Sequence, residues 1–171
     1  AGYSVQIFLF NAARMGVPQK RERVFFIAHR KDLDYPKLSM AFSSKPIPFM
    51  DVREPYGKAP SGDSLAARVM KYRIPKDRCV ADINMRVRKK NSGFTAPINH
   101  DDEPVQTITA NGFCFRMCDG LLMTDKDIIS CQTFPQDYDF MDQNVQYVCG
   151  MSVPPVMMAK IAEQVYWQWL K

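Results

Sequence analysis

The stretch Gly16-Val17-Pro18-Gln19-Lys20-Arg21-Glu22-Arg23-Val24-Phe25-Phe26-Ile27-Ala28 decides how this chain reads. A loop punctuated by Gly16 and Pro18 carries Arg21 and Arg23 and runs straight into the apolar segment Val24 to Ala28. Extended chain has a period of two, so an early start to the strand puts Gln19, Arg21 and Arg23 on one face. Two guanidiniums and an amide on one face can grip planar or anionic groups: phosphates, base edges or carboxylates. The plainer reading of the same residues is a solvated strand entrance.

Immediately upstream, Val5, Ile7 and Leu9 alternate with Gln6, Phe8 and Phe10. Both faces are largely apolar, which predicts a buried strand. With Val24 to Ala28 it forms a long-looped antiparallel pair. A chain that opens on a buried strand has nothing before it to cover either face. The expectation is therefore a sequence that begins partway through a domain.

A length of 171 residues, 46% of them hydrophobic, fits one ordinary domain or a small domain plus a piece of another. The formal charge of +5 is compatible with nucleic acid. It is also unevenly spread. Arg68 to Lys90 carries +7, Arg14 to Lys31 carries +5, and the remaining residues carry −7. A charge run is ordinarily a solvated face. Two separated basic segments, one of them around the arginine loop, favour a groove for a polyanion. The five cysteines (Cys79, Cys114, Cys118, Cys131, Cys149) have no zinc spacing, and His29 and His100 are the histidines that could help, so no metal is expected. Their odd number and the lack of a signal segment favour a reducing, intracellular setting. No apolar run approaches the roughly 20 residues of a membrane helix, so no membrane partner is expected.

Further along, Pro36, Pro46, Pro48, Pro55 and Pro60 exclude long helices and central strands and mark the entry to a second, smaller domain. Ser64 to Tyr72 predicts a short helix with Leu65, Val69 and Tyr72 on one stripe. Pro104 to Ala110 alternates as a strand, Asn111-Gly112 signals a hairpin turn, and Phe113 to Met117 is the expected return strand. The hydroxyls of Thr107 and Thr109 suit phosphates or base edges; the plainer reading is a surface hairpin. Thr124 is a helix N-cap with Asp127 at the capping-box position. After Pro154-Pro155 a helix to Lys171 is expected, with Met158, Ala162, Val165 and Trp169 as its apolar stripe.

Three of these segments also resemble a known family. The loop Gln19-Lys20-Arg21-Glu22-Arg23 resembles the Gln-x-Arg-x-Arg motif of the DNA (cytosine-5)-methyltransferases, preceded by family-like Gly2-Tyr3 and Asn11-Ala12-Ala13. Gln132-Thr133-Phe134-Pro135 resembles the following motif, with Leu121 and Asp127 standing where the pattern has arginine and glutamate. Gly150-Met151-Ser152-Val153-Pro154-Pro155 resembles the last motif, with Met151 in place of asparagine. The resemblance implies the C-terminal part of such an enzyme, of α+β class. It would comprise a strand pair and arginine loop at 1–32, a target-recognition domain of short strands and turns at 33–120, and closing motifs at 121–171 that pack back on a Rossmann-like domain.

By the same resemblance, Arg23 contacts a flipped cytosine, Arg21 the backbone nearby, and Gln19 supports the loop. The segment from about Lys45 to Met117 recognises double-stranded DNA, with Arg86, Arg88, Lys89, Thr107 and Thr109 among its contacts. Ser152 and Val153 close the site of S-adenosylmethionine, which is held mainly by an N-terminal half that also carries the catalytic cysteine. No Pro-Cys pair, Glu-Asn-Val motif or cofactor-binding glycine turn occurs between Ala1 and Lys171, so this segment alone is expected to be inactive. The implied setting is cytoplasmic and nucleoid-associated, of bacterial or phage type, within a restriction-modification system. A stand-alone DNA-binding or regulatory module, and an RNA-directed member of the same family, fit the same residues.

Overall fold

The structure, a computed structural model, describes residues 2–60, 64–91, 93 and 96–171. Strands β1 (Tyr3–Asn11) and β2 (Glu22–Arg30) form the expected antiparallel ribbon, paired from Tyr3 opposite Arg30 to Asn11 opposite Glu22. A single 3-10 turn (Ala12–Arg14), capped by the Asn11 side chain, leads into the arginine loop. The ribbon has two unequal faces. Phe10, Phe25 and Ile27 pack on a core of Ala12, Met15, Val17, Met157 and Ile161. On the opposite face Tyr3, Val5, Ile7, Leu9, Val24 and Phe26 are each at least 52% exposed. The expectation of burial on both faces is therefore met on one.

The proline-rich segment holds one 3-10 turn, Phe49–Asp51. Helix α1 (Leu65–Met70) is capped by Ser64, but buries Ala66, Val69 and Met70, while Leu65 and Tyr72 lie outward. The expected stripe is thus shifted, because the helix ends at Met70 and Tyr72 falls past it. Helix α2 (Val80–Arg88) was hidden in the basic segment. It buries Val80, Ile83 and Asn84, starts with a capping box between Cys79 and Asp82, and ends at Lys89 in a left-handed conformation. Its charges mask a short apolar stripe that a charge count does not register.

The expected hairpin does not form. Strand β3 (Ile98–Asn99) pairs in parallel with β4 (Phe115–Arg116). Residues 104–112 instead attach to the arginine loop: Val105 N–H donates to Pro18 and Lys20 N–H donates to the Val105 carbonyl. The loop offers backbone partners that a local turn would have to forgo, so the long-range pairing displaces the hairpin. Gly112, at φ +107°, keeps the turn conformation that its sequence signals.

Helix α3 (Asp125–Gln132) starts at the expected Thr124–Asp127 capping box. Asp127 does more than cap. Its carboxylate faces the Arg116 guanidinium at 3.3 Å, both side chains fully buried, and accepts the Glu54 N–H at 2.7 Å. Leu121 carries no charge, and the arginine paired with Asp127 comes from β4. Helix α4 (Val145–Met151), capped by Asn144, precedes α5 (Pro155–Val165). In α5 the buried residues are Met157 and Ile161, whereas Met158 is exposed. The first half of the expected stripe is therefore displaced by one residue, whereas Val165 and Trp169 are half-buried and Trp169 packs on His29 and Tyr35. The chain ends in a π turn, Tyr166–Leu170, where Trp169 donates to the Pro36 carbonyl.

Removing one partner of a buried ion pair leaves an uncompensated charge. Arg116→Met should lower unfolding free energy by about 3–5 kcal/mol. Adding Asp127→Asn, which removes the charge but keeps an acceptor, should recover part of that loss in urea unfolding.

Candidate nucleic-acid interface

Gln19 and Arg21, expected to leave the loop toward a ligand, are both completely buried. The Arg21 guanidinium donates to the carbonyls of Ile108 (2.8 Å), Gly150 (2.7 Å) and Ser152 (2.8 Å). Two of these acceptors lie at the C-terminal end of α4, where carbonyls lack helical partners and the dipole favours a cation. Burial, and then the neighbouring Arg23 charge, lowers Arg21 to about 10, so it stays charged at neutral pH. Gln19 accepts the Ile108 N–H and donates to the Gln132 side chain at 2.6 Å. Gln132 in turn donates to the Ser152 carbonyl and hydroxyl. These residues bind the three motif segments and the 105–112 segment into one polar hub.

Gly150 lets the segments approach. A Cβ there would lie 2.2 Å from the Ala110 nitrogen and 2.4 Å from the Thr109 carbonyl carbon, a clash with backbone that cannot swing aside. Gln132 and Gly150 complete the hub although sequence reading gave them no role. The signal was present only as their membership of the motifs; burial of a polar side chain is not written in local pattern.

Period-two alternation therefore fails at this loop. Arg21 turns inward, and its donors go to carbonyls rather than to a phosphate. Arg23, already in β2 and held opposite Phe10, is half-buried and donates to the Glu22 carbonyl at 2.7 Å. Arg86 stays exposed but is paired within the protein, with the Tyr72 carbonyl and the Asp77 carboxylate, both at 2.7 Å. Arg88 and Lys89 are exposed. Ser152 has its hydroxyl on the Cys149 carbonyl, and Val153 packs on the core beneath β1 and β2.

Thr107 and Thr109 line an open groove of about 780 Å³. Its other lining residues include Arg78, Gln106, Asn111 and Phe113. The threonine hydroxyls donate inward, Thr107 to the Lys20 carbonyl and Thr109 to the Asn111 carbonyl, which leaves their oxygens as acceptors. The groove thus joins a polar edge fixed on the arginine loop to a cation of the second basic segment. Among the described residues no group of three or more His, Cys, Asp or Glu side chains could hold a metal. Among the described residues no helix is long and apolar enough to cross a membrane. Burial pushes the Cys114 thiol up to about 11 and Cys149 to about 12, and also holds Cys131 well above the usual thiol range, as packing thiols behave.

The architecture is that of methyltransferases. A DNA modification methyltransferase encoded within an E. coli prophage matches 99% of this chain and 62% of its own chain, with a TM-score of 0.66 at 13% identity. Among curated proteins, the type II methyltransferase M.BspRI of Lysinibacillus sphaericus is 29% identical over 152 residues, 83% of this chain and 35% of the relative. M.BbvI of Brevibacillus brevis is 24% identical over 90% of this chain and 46% of its own length. The chain therefore spans between a third and a half of these two relatives. The sequence pattern of one family, C-5 cytosine-specific DNA methylase, matches residues 1–112. This chain belongs to that family.

The hub makes a prediction about Arg21. Hydrogen bonds to a charged group contribute about 1.5–3 kcal/mol each, and an ammonium cannot fork among three carbonyls, so Arg21→Lys should cost roughly 2–4 kcal/mol of stability. Thermal and urea unfolding measure this, and an unchanged stability would remove the hub from its central place.

Proposed function

We propose that this chain is the DNA-recognising, C-terminal part of an enzyme that methylates C5 of cytosine in a specific duplex sequence. The observation that carries this reading is the attachment of residues 105–107 to Pro18–Lys20, which sets the Thr107 and Thr109 edge beside the arginine loop and along the groove. In this reading residues 1–32 belong to the catalytic body, 33–120 recognise the target, and 121–171 close the site. Arg88, Lys89 and Arg78 contact phosphates, and Thr107 and Thr109 contact the duplex through their free acceptor sites. Base contacts specify the sequence while phosphate contacts position the protein. The DNA reading is preferred to RNA because the curated relatives are type II methyltransferases.

The apolar face of the β1–β2 ribbon supports a further body of protein. We infer that the N-terminal half of the enzyme, carrying the catalytic cysteine, covers Val5, Ile7, Leu9, Val24 and Phe26. The length of the relatives beyond this segment supplies such an occupant. S-adenosylmethionine would supply the methyl group. The fit of Ser152 to it is limited, because its hydroxyl and carbonyl are already paired with Cys149, Gln132 and Arg21. This chain would contribute the Val153 segment as one wall of that site, and alone it would transfer no methyl group.

Arg23 is assigned to the flipped base. Its backbone is held by the ribbon and its guanidinium is bound to its own neighbour's carbonyl, which it can leave at small cost. Charge that develops on the cytosine ring during attack would be stabilised by a fixed guanidinium more than the ground state is.

Duplex binding should fall steeply with salt, each neutralised phosphate adding about −0.9 to the log–log slope. A flat response in an anisotropy titration removes the groove from the function. In the enzyme reassembled with its N-terminal half, Arg23→Ala should lower single-turnover methylation by about 100- to 1,000-fold at saturating DNA, with little change in affinity. Arg23→Lys should rescue poorly. Equal rates for wild type and Arg23→Ala would reduce Arg23 to a phosphate contact.

A further inference from the structure

Glu103 ties together the two basic segments. One carboxylate oxygen meets the Lys20 ammonium of the arginine loop, and the other meets the Arg78 guanidinium just ahead of α2. The backbones around this bridge are fixed. Lys20 exchanges hydrogen bonds with Val105 and Thr107, the Glu103 carbonyl accepts the Phe49 N–H, and the Arg78 carbonyl accepts the Ile98 N–H. The side chains are not enclosed: Lys20, Glu103 and Arg78 are 36%, 26% and 58% exposed. Ion pairs this open to water are weak and exchange readily. Arg78 also lines the groove in which the threonine edge lies.

A single anion that holds an ammonium and a guanidinium from two segments does what a backbone phosphate would do at the same place. We propose that Glu103 is an internal stand-in for a DNA phosphate. In the free protein it neutralises Lys20 and Arg78, and an entering duplex exchanges a phosphate for it. This rests on the DNA reading above. The exchange leaves Glu103 without its cations and beside a polyanion, so it must take up a counter-ion. Glu103 thereby lowers the sequence-independent part of the affinity and leaves base contacts a larger share of the total. It is a specificity-determining residue that need not touch a base.

The test is a titration of a short fluorescent duplex of arbitrary sequence with the full chain, repeated over a series of salt concentrations. Glu103→Gln should bind about tenfold more tightly at low salt, with a log–log slope steeper by about 1, because no counter-ion is taken up. Glu103→Asp keeps the charge but not the reach, and should fall between the two. The gain should vanish when Lys20→Gln and Arg78→Gln are combined with Glu103→Gln. Thermal unfolding of each variant monitors the fold. Unchanged affinity and slope for Glu103→Gln beside a salt-dependent wild type would overturn the role of Glu103 alone. A gain that persists without Lys20 and Arg78 would overturn it equally. A wild type indifferent to salt would overturn the DNA reading as well.

Discussion

The Arg21 guanidinium, surrounded by backbone carbonyls, is the constraint on which the rest depends. A buried cation is costly unless its donors are satisfied. Here the carbonyls of Ile108, Gly150 and Ser152 accept from both terminal nitrogens, while Nε finds no partner among the described residues, and their sequence separation from Arg21 means that three distant stretches must meet at one point. Gln19 and Gln132 add neutral hydrogen bonds to the same meeting point. Misplacing any one stretch would strand polar groups on the others. The hub is therefore a cooperative lock, in which each bond is worth most when the remainder are made.

The position of the candidate site follows from this lock. Ile108, held by Gln19 and Arg21, fixes the segment that carries Thr107 and Thr109. Gly150 allows that segment to lie directly on α4. Two residues after Arg21 the chain has entered the ribbon, and Arg23, its backbone held opposite Phe10, spends its guanidinium on the Glu22 carbonyl instead of the hub carbonyls. Similar side chains on one short motif thus divide between scaffold and surface. The division arises because the loop ends between them, where curvature gives way to the straight ladder.

The ribbon illustrates a different economy. Its inner face is covered by Met157 and Ile161 of α5, while its outer face leaves large apolar side chains in water. An exposed apolar patch of this kind marks an interaction surface more often than a solvated one. The polar groove and the apolar ribbon face thus suit different partners, one anionic and one apolar, on a scaffold stabilised by the same hub.

Local pattern was sufficient for the ribbon, for the Ser64, Thr124 and Pro155 helix starts, and for membership of the methyltransferase motifs. Those features depend on neighbours a few residues apart: alternation, capping geometry and a missing N–H. Sequence placed Gln19, Arg21 and Arg23 together but could not separate their roles, because inward or outward direction depends on what lies across the loop. It missed α2, whose stripe is concealed by basic residues, and misjudged the hairpin, whose strands found better partners elsewhere. The Arg116–Asp127 pair and the Glu103 bridge are likewise tertiary facts. Each joins charges whose encounter depends on the path of the intervening chain, and the energy of such a contact exists only once the hydrophobic cores have brought its members together.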